Sequence, residues 1–221
     1  MRHTMRFDFK IDAAIFDNDG TLMDTMPYWR YTTLEFLLAH QMPVPNEMLV
    51  SMYDSSSRKL LTQICEETGV TDLDDAISEV EDYMHRHYLY DAKLKCPAVP
   101  ELLRRLKAGG ARLCVATAAP REYVSDGMRR LGILDFFDFV TDNREYPYKK
   151  RQPEYFTALL DRLGASADRT WVFEDALYAM ESAKAAGLRV CAIEENTQRK
   201  DREAIMALAD VYVRDYIELF D

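Results

Sequence analysis

Short apolar runs rich in β-branched and aromatic residues recur along the chain at Ala13 to Phe16, Arg112 to Ala118, Phe137 to Asp142, Thr170 to Glu174, Arg189 to Ile193 and Val211 to Val213. Each gives way to polar or charged residues where a strand would end. From residue 100 onward these runs alternate with amphipathic helical patterns, the signature of βαβ units on a parallel sheet. Gly109, Gly110, Gly132, Gly164 and Gly187 punctuate the predicted helix ends, as residues that tolerate positive φ do.

After the first strand and its acidic loop come about 75 residues, up to residue 100, with no comparable strand, and a structureless connection of that length is implausible. The stretch reads as helical instead: TTLEFLLAH, NEMLVSMY, SRKLLTQICEE and DDAISEVEDYMHRHYLY repeat apolar residues at helical spacing. The expected organisation is an α/β core from residues 1–25 and 96–221, with a helical module inserted at 26–95. Pro27 on one side and Pro97 with Pro100 on the other suit linkers between the two.

The composition, 48% hydrophobic and 30% charged over 221 residues, excludes disordered and collagenous chains and allows one or two domains. Lys and Arg number 28 against 38 Asp and Glu, a net charge of −10. That charge disfavours nucleic-acid and membrane partners. Cys65, Cys96, Cys114 and Cys191 form no CxxC pair and no zinc pattern with the histidines. Cys114 and Cys191 sit in apolar runs, as free thiols in a reducing compartment do. The first residues carry scattered charges and no apolar h-region, so neither a signal peptide nor an anchor is expected and the cytoplasm is the expected location. Periodicity does not show exposure and so gives no oligomeric state.

Four places carry candidate chemistry. Asp17-Asn18-Asp19-Gly20-Thr21 puts two carboxylates at the carboxyl end of a parallel strand, where open α/β sheets bind ligands. Thr117 ends RLCVAT, and its hydroxyl with the Ala118 amide can hold a phosphoryl oxygen. Lys150 lies in KKRQPEYF, and Glu174 with Asp175 close a strand and open a helix in VFEDALYAMESAKAAGLRV. Taken singly, each has an ordinary structural account: an acidic turn, a strand end, a solvated basic run and helix capping.

Together, and in this order, they resemble the signatures of the haloacid dehalogenase superfamily of phosphohydrolases. IFDNDGTLMDT is similar to its DxDGT motif, KKRQPEYF to KPxPDxF aligned on Pro153 and Glu154, and VFEDALYAMESAKAAG to EDSxxGxxAAxxAG. The resemblance spans Ala13 to about Leu188. It implies a Rossmann-like three-layer α/β core with a central parallel sheet and an inserted helical C1 cap. Asn18, Arg151, Ala176 and Ala179 depart from the pattern, standing where the family has an apolar residue, proline, serine and glycine.

The resemblance also implies a mechanism. Asp17 is the expected nucleophile, forming an aspartyl phosphate, and Asp19 the general acid and base. Thr117, the Ala118 amide and Lys150 are the expected phosphate ligands. Four carboxylates gathered in one cleft need a cation or a proton. Magnesium is the expected cofactor, held by Asp17, the Asp19 carbonyl and Asp175, with Glu174 an additional ligand or a support for one. An aspartate at position 19 sets the chain apart from the dehalogenases, phosphonatases and transport ATPases of the superfamily and points to phosphate esters. Tyr28, Trp29, Ser56 and Arg58 in the helical insert are the specificity candidates by position.

The expected activity is hydrolysis of a small phosphorylated metabolite of the sugar phosphate or phosphoglycolate type. A phosphomutase resembling β-phosphoglucomutase would use the same core residues. A non-catalytic binding relative is the alternative from another class.

Overall fold

In this computed structural model the described residues are 7–44, 46–51 and 57–220. The chain divides into two compact units, residues 1–24 with 93–221 and residues 25–92.

The first unit is built on β1 (Ala13–Phe16), β2 (Arg112–Thr117), β3 (Phe139–Asp142), β4 (Thr170–Glu174), β5 (Arg189–Ile193) and β6 (Val211–Val213). They form one sheet in the order β3-β2-β1-β4-β5-β6, with every neighbouring pair parallel. β1 is short and wholly buried because it is the central strand, with Phe16 in register with Val115 on one side and Phe173 on the other.

Crossovers run both ways from β1. α5 (Val99–Ala108) and α6 (Arg121–Arg130) lead toward the β3 edge, whereas α7 (Pro153–Leu163), α8 (Leu177–Ala185) and α9 (Arg202–Leu208) lead toward β6. Right-handed crossovers in opposite directions put the two sets on opposite faces, which gives three layers. Strand alternation divides the core accordingly. Ala13, Ile15, Cys114, Ala116, Val172 and Val190 pack with Tyr155, Phe156 and Leu159 of α7 and with Ala179, Met180 and Ala183 of α8. Phe16 and Phe173 point the other way and stack with centroids 4.3 Å apart at 9°. Burial pushes the Cys114 and Cys191 thiols up, which keeps them inert.

Three local expectations are corrected. β2 stops at Thr117 instead of Ala118, because the Thr117 hydroxyl accepts the Ala119 N–H at 3.0 Å and turns the chain. β3 starts at Phe139 instead of Phe137, since Leu134–Phe136 forms a 3-10 turn that takes the Phe137 amide. The third concerns Gly109, which has φ −73°. Gly110, Gly132, Gly164 and Gly187 do take positive φ. Gly109 is needed for close approach instead, since a Cβ there would lie 2.2 Å from the Phe9 carbonyl oxygen.

The second unit comprises α1 (Met26–Ala39), α2 (Asn46–Ser51), α3 (Ser57–Thr68) and α4 (Leu73–Tyr90). Its core is Phe36, Leu37, Leu61, Ile64, Ala76 and Val80. Pro27 lies in the first turn of α1, where its missing N–H costs nothing. Asp72 caps α4 by accepting the Asp75 amide at 3.0 Å, and Asp74 and Asp75 lie in the first turn, so the acidic start suits the helix dipole. No described helix is long and apolar enough to cross a membrane.

Candidate active site

Because all six strands are parallel, their carboxyl ends share one edge, and β1 lies between β2 and β4. The residues leaving these three strands are therefore neighbours: Asp17 after β1, Thr117 at the end of β2, and Glu174 with Asp175 at the end of β4. The Asp17 amide extends the ladder by donating to the Phe173 carbonyl at 2.9 Å. The loop then folds on itself. The Asn18 carbonyl accepts the Leu22 and Met23 amides, each at 2.9 Å, and the Gly20 amide donates to the Met23 carbonyl at 2.8 Å. Gly20 has φ 89°, a conformation that a Cβ would strain. Asp17 is buried and Asp19 half-buried.

Lys150 arrives from the irregular segment between β3 and α7. Its Nζ lies 2.6 Å from Asp17 Oδ1 and 2.7 Å from Glu174 Oε2, and the lysine is 3% exposed. Within the KKR run only this side chain turns inward: the neighbouring Lys149 ammonium donates to the Asn143 carbonyl at 2.6 Å, and Arg151 is exposed.

One ammonium thus faces two buried carboxylates, Asp17 and Glu174, and a third, Asp175, is buried beside them. Burial, followed by the Glu174 charge, pushes the Asp17 carboxyl up to about 7 against the pull of Lys150. Burial and the charges of Glu174 and Asp17 push Asp175 well up. Burial alone would lower Lys150, but Asp17 and Glu174 outweigh it and hold the ammonium well above its ordinary value.

One oxygen each from Asp17, Glu174 and Asp175 lies within 4.8 Å of the others, and Asp17 Oδ2 is buried without a hydrogen-bond partner. Hard oxygen donors with an orphaned carboxylate oxygen among them suit a divalent cation such as magnesium. The Asp19 carboxylate is outside this group. Glu174 Oε1 accepts the Asp175 and Ala176 amides at 3.2 Å each, while Oε2, buried without a hydrogen bond, lies in ion-pair distance of Lys150. Glu174 therefore supports the lysine and the start of α8 as well as offering an oxygen to the cluster.

Thr117 is buried and Ala118 exposed. The hydroxyl accepts the Ala119 amide, which leaves its own proton for another acceptor.

Some residues at this edge were not singled out from sequence. Asp142, in register with Thr117, accepts the Arg121 amide at 3.1 Å and the Arg144 amide at 2.8 Å, so it pins the segments that follow β2 and β3. Glu195, just beyond β5, pairs with Lys95 and adds to the field on Asp175. Tyr178 in α8 lies under the Arg151 guanidinium, 4.0 Å from ring centroid to Cζ. An acid closing a strand for Asp142, and one just beyond a strand for Glu195, was the available signal; nothing in the local pattern marks Tyr178.

The specificity candidates belong to the helical unit. Tyr28 stacks on His87 at 4.6 Å and 22° and its hydroxyl donates to the Asp91 carbonyl at 3.3 Å. Trp29 is half-buried, and its carbonyl accepts the Ser57 and Thr32 hydroxyls at 2.7 and 3.0 Å. Arg58 is exposed near the start of α3, and Ser56, with Ser55, lies outside the described residues.

Comparison with known proteins places this geometry among relatives. The family described as haloacid dehalogenase-like hydrolase matches residues 14–193. A phosphorylated carbohydrates phosphatase of Thermotoga maritima is 26% identical over 181 residues, covering 80% of this chain and 82% of the relative. A phosphoglycolate phosphatase of Nitrosospira multiformis is 30% identical over 196 residues, covering 84% of each. Among solved structures, CbbY from Rhodobacter sphaeroides in complex with phosphate has a TM-score of 0.75 at 24% identity, over 95% of this chain and 96% of that one.

Proposed function

The chain belongs to the haloacid dehalogenase-like hydrolase family, and on that premise we propose that it is a magnesium-dependent phosphatase hydrolysing small phosphate monoesters through a phosphorylated Asp17. One observation carries the reading. Asp17 is a buried carboxylate at the carboxyl edge of a parallel sheet, with one oxygen held by Lys150 at 2.6 Å and the other unpartnered. Relatives named for phosphorylated carbohydrates and for phosphoglycolate support a substrate of that type.

In the first half-reaction a carboxylate oxygen of Asp17 bonds to phosphorus while Asp19 gives its proton to the departing alcohol oxygen. In the second, Asp19 takes a proton from water as the water oxygen bonds to phosphorus, which frees inorganic phosphate and restores Asp17. The Thr117 hydroxyl, the Ala118 amide and the Lys150 ammonium hold the phosphoryl oxygens where negative charge builds. The Asp17 carboxylate, the Asp19 backbone carbonyl and Asp175 would hold magnesium, with Glu174 beside them. Bound there, the cation would neutralise phosphoryl charge and favour the ionised form of Asp17.

In this reading the helical unit acts as a cap that excludes bulk water, and Tyr28, Trp29, Ser56 and Arg58 select among substrates.

The test is inorganic phosphate release from sugar phosphates, phosphoglycolate and an aryl phosphate, with and without magnesium, using Asp17→Asn as the control. Magnesium-dependent release that disappears in the variant is expected. Isomerised sugar phosphate without net release would replace the reading with a mutase, and metal binding without turnover would replace it with a binding protein.

A further inference from the structure

Lys150 has to span from an irregular loop to acids at the ends of two different strands, Asp17 just after β1 and Glu174 closing β4. Residues 143–152 form turns and bends without regular structure, so the lysine's own backbone is held by local contacts. These include the Gln152 amide on the Lys149 carbonyl at 2.8 Å and the Gln152 side chain accepting the Lys149 amide at 2.9 Å. Position 151 carries arginine, which leaves φ unrestrained where the motif this segment resembles has a ring-locked proline.

The arginine is not idle. Its guanidinium carbon sits 4.0 Å from the Tyr178 ring centroid, a cation–π geometry, and it makes no ion pair among the described residues. Tyr178 is the second residue of α8, the helix that opens just after Glu174 and Asp175. Two ties therefore run in parallel between the same two segments: Lys150 to Glu174, and Arg151 to Tyr178.

We propose that Arg151 and Tyr178 are positioning residues, forming a clamp that holds the Lys150 loop against the start of α8 and so fixes the Lys150 ammonium between Asp17 and Glu174. Stacking on the side chain thus replaces restraint of the backbone. The catalytic consequence rests on the phosphate-binding role given to Lys150 above, but the clamp itself is a statement about where the ammonium sits.

The test uses the full chain with Arg151→Gln, Tyr178→Leu, Tyr178→Phe and the double variant Arg151→Gln/Tyr178→Leu. Limited labelling with an amine-reactive acylating reagent, read by mass spectrometry, reports the accessibility of Lys150 against Lys107 as the internal reference. Arg151→Gln and Tyr178→Leu should each speed Lys150 labelling about tenfold, in line with the loss of one stacking contact. Tyr178→Phe, which keeps the ring, should match wild type. The double variant should be no faster than either single one, because both remove the same interaction. In the phosphate-release assay kcat should fall about tenfold in the first two variants and stay near wild type in Tyr178→Phe.

Lys150 labelled as slowly in Arg151→Gln and Tyr178→Leu as in wild type overturns the clamp. A wild type that releases no phosphate overturns the functional reading instead, and the labelling result still decides the clamp. If Tyr178→Leu fails to fold, Arg151→Gln, an exposed substitution, decides it alone.

Discussion

Removing one charge from the cluster should stabilise the metal-free protein at alkaline pH while abolishing turnover. Burial and Glu174 push the Asp17 carboxyl from its ordinary 3.8 up to about 7 in the folded state. Between those values the folded chain binds a proton that the unfolded chain has released, so stability falls as pH rises through the window. At about 1.4 kcal/mol per pH unit, the gap amounts to about 4 kcal/mol by pH 8. Asp17→Asn keeps the shape and removes the titration. Urea unfolding in the presence of a chelator should therefore show the stability of wild type relative to the variant falling from pH 4 to 8, with the variant the more stable of the two at pH 8; the difference cancels the carboxyls held low in both, such as Asp138 and Asp142. Magnesium should restore wild type at pH 8, where it stabilises the ionised carboxylates, and should do little at pH 5, where protons compete. Identical slopes for the two proteins, or a wild type that gains stability relative to the variant on going from pH 4 to 8, would refute the electrostatic reasoning.

Three further outcomes follow from the geometry. Thr117→Val should lower kcat/KM by about 10² to 10³ in the phosphate-release assay, since it removes a donor to the phosphoryl group, and should destabilise the fold by about 1–3 kcal/mol, because the buried Ala119 amide loses its acceptor. Phe173→Ala, which empties a buried ring position stacked on Phe16, should cost about 3–5 kcal/mol in denaturant unfolding. Gly109→Ala should destabilise by about 1–3 kcal/mol, because its methyl would meet the Phe9 carbonyl; an unchanged unfolding midpoint would show that the segment at Phe9 moves aside.

Strands such as Ala13–Phe16 and Thr170–Glu174 were legible because they are buried and give way to acidic residues, and both stand where the pattern puts them. The cluster was legible for a related reason: parallel strands deliver whatever follows them to a common edge. Lys150 could be chosen from a basic run through its spacing to Pro153 and Glu154, and it is the lysine that reaches Asp17. The start of β3 was not legible, since apolar residues at 134–137 serve a 3-10 turn as readily as a strand. Nor was the reason for Gly109, which depends on a carbonyl one hundred residues away in sequence. The Arg151–Tyr178 stack and the anchoring role of Asp142 are likewise products of tertiary approach. Local periodicity carries no record of such approaches.

The central claim, that Asp17 carries the phosphoryl group, is tested most directly by acid-quenching a single turnover of a substrate radiolabelled in its phosphoryl group and mapping the label by peptide. Transient, hydroxylamine-sensitive label is expected on Asp17, decaying as inorganic phosphate forms and absent from Asp17→Asn. Phosphate released at the full rate with no label on Asp17, or release that persists in Asp17→Asn, would contradict it.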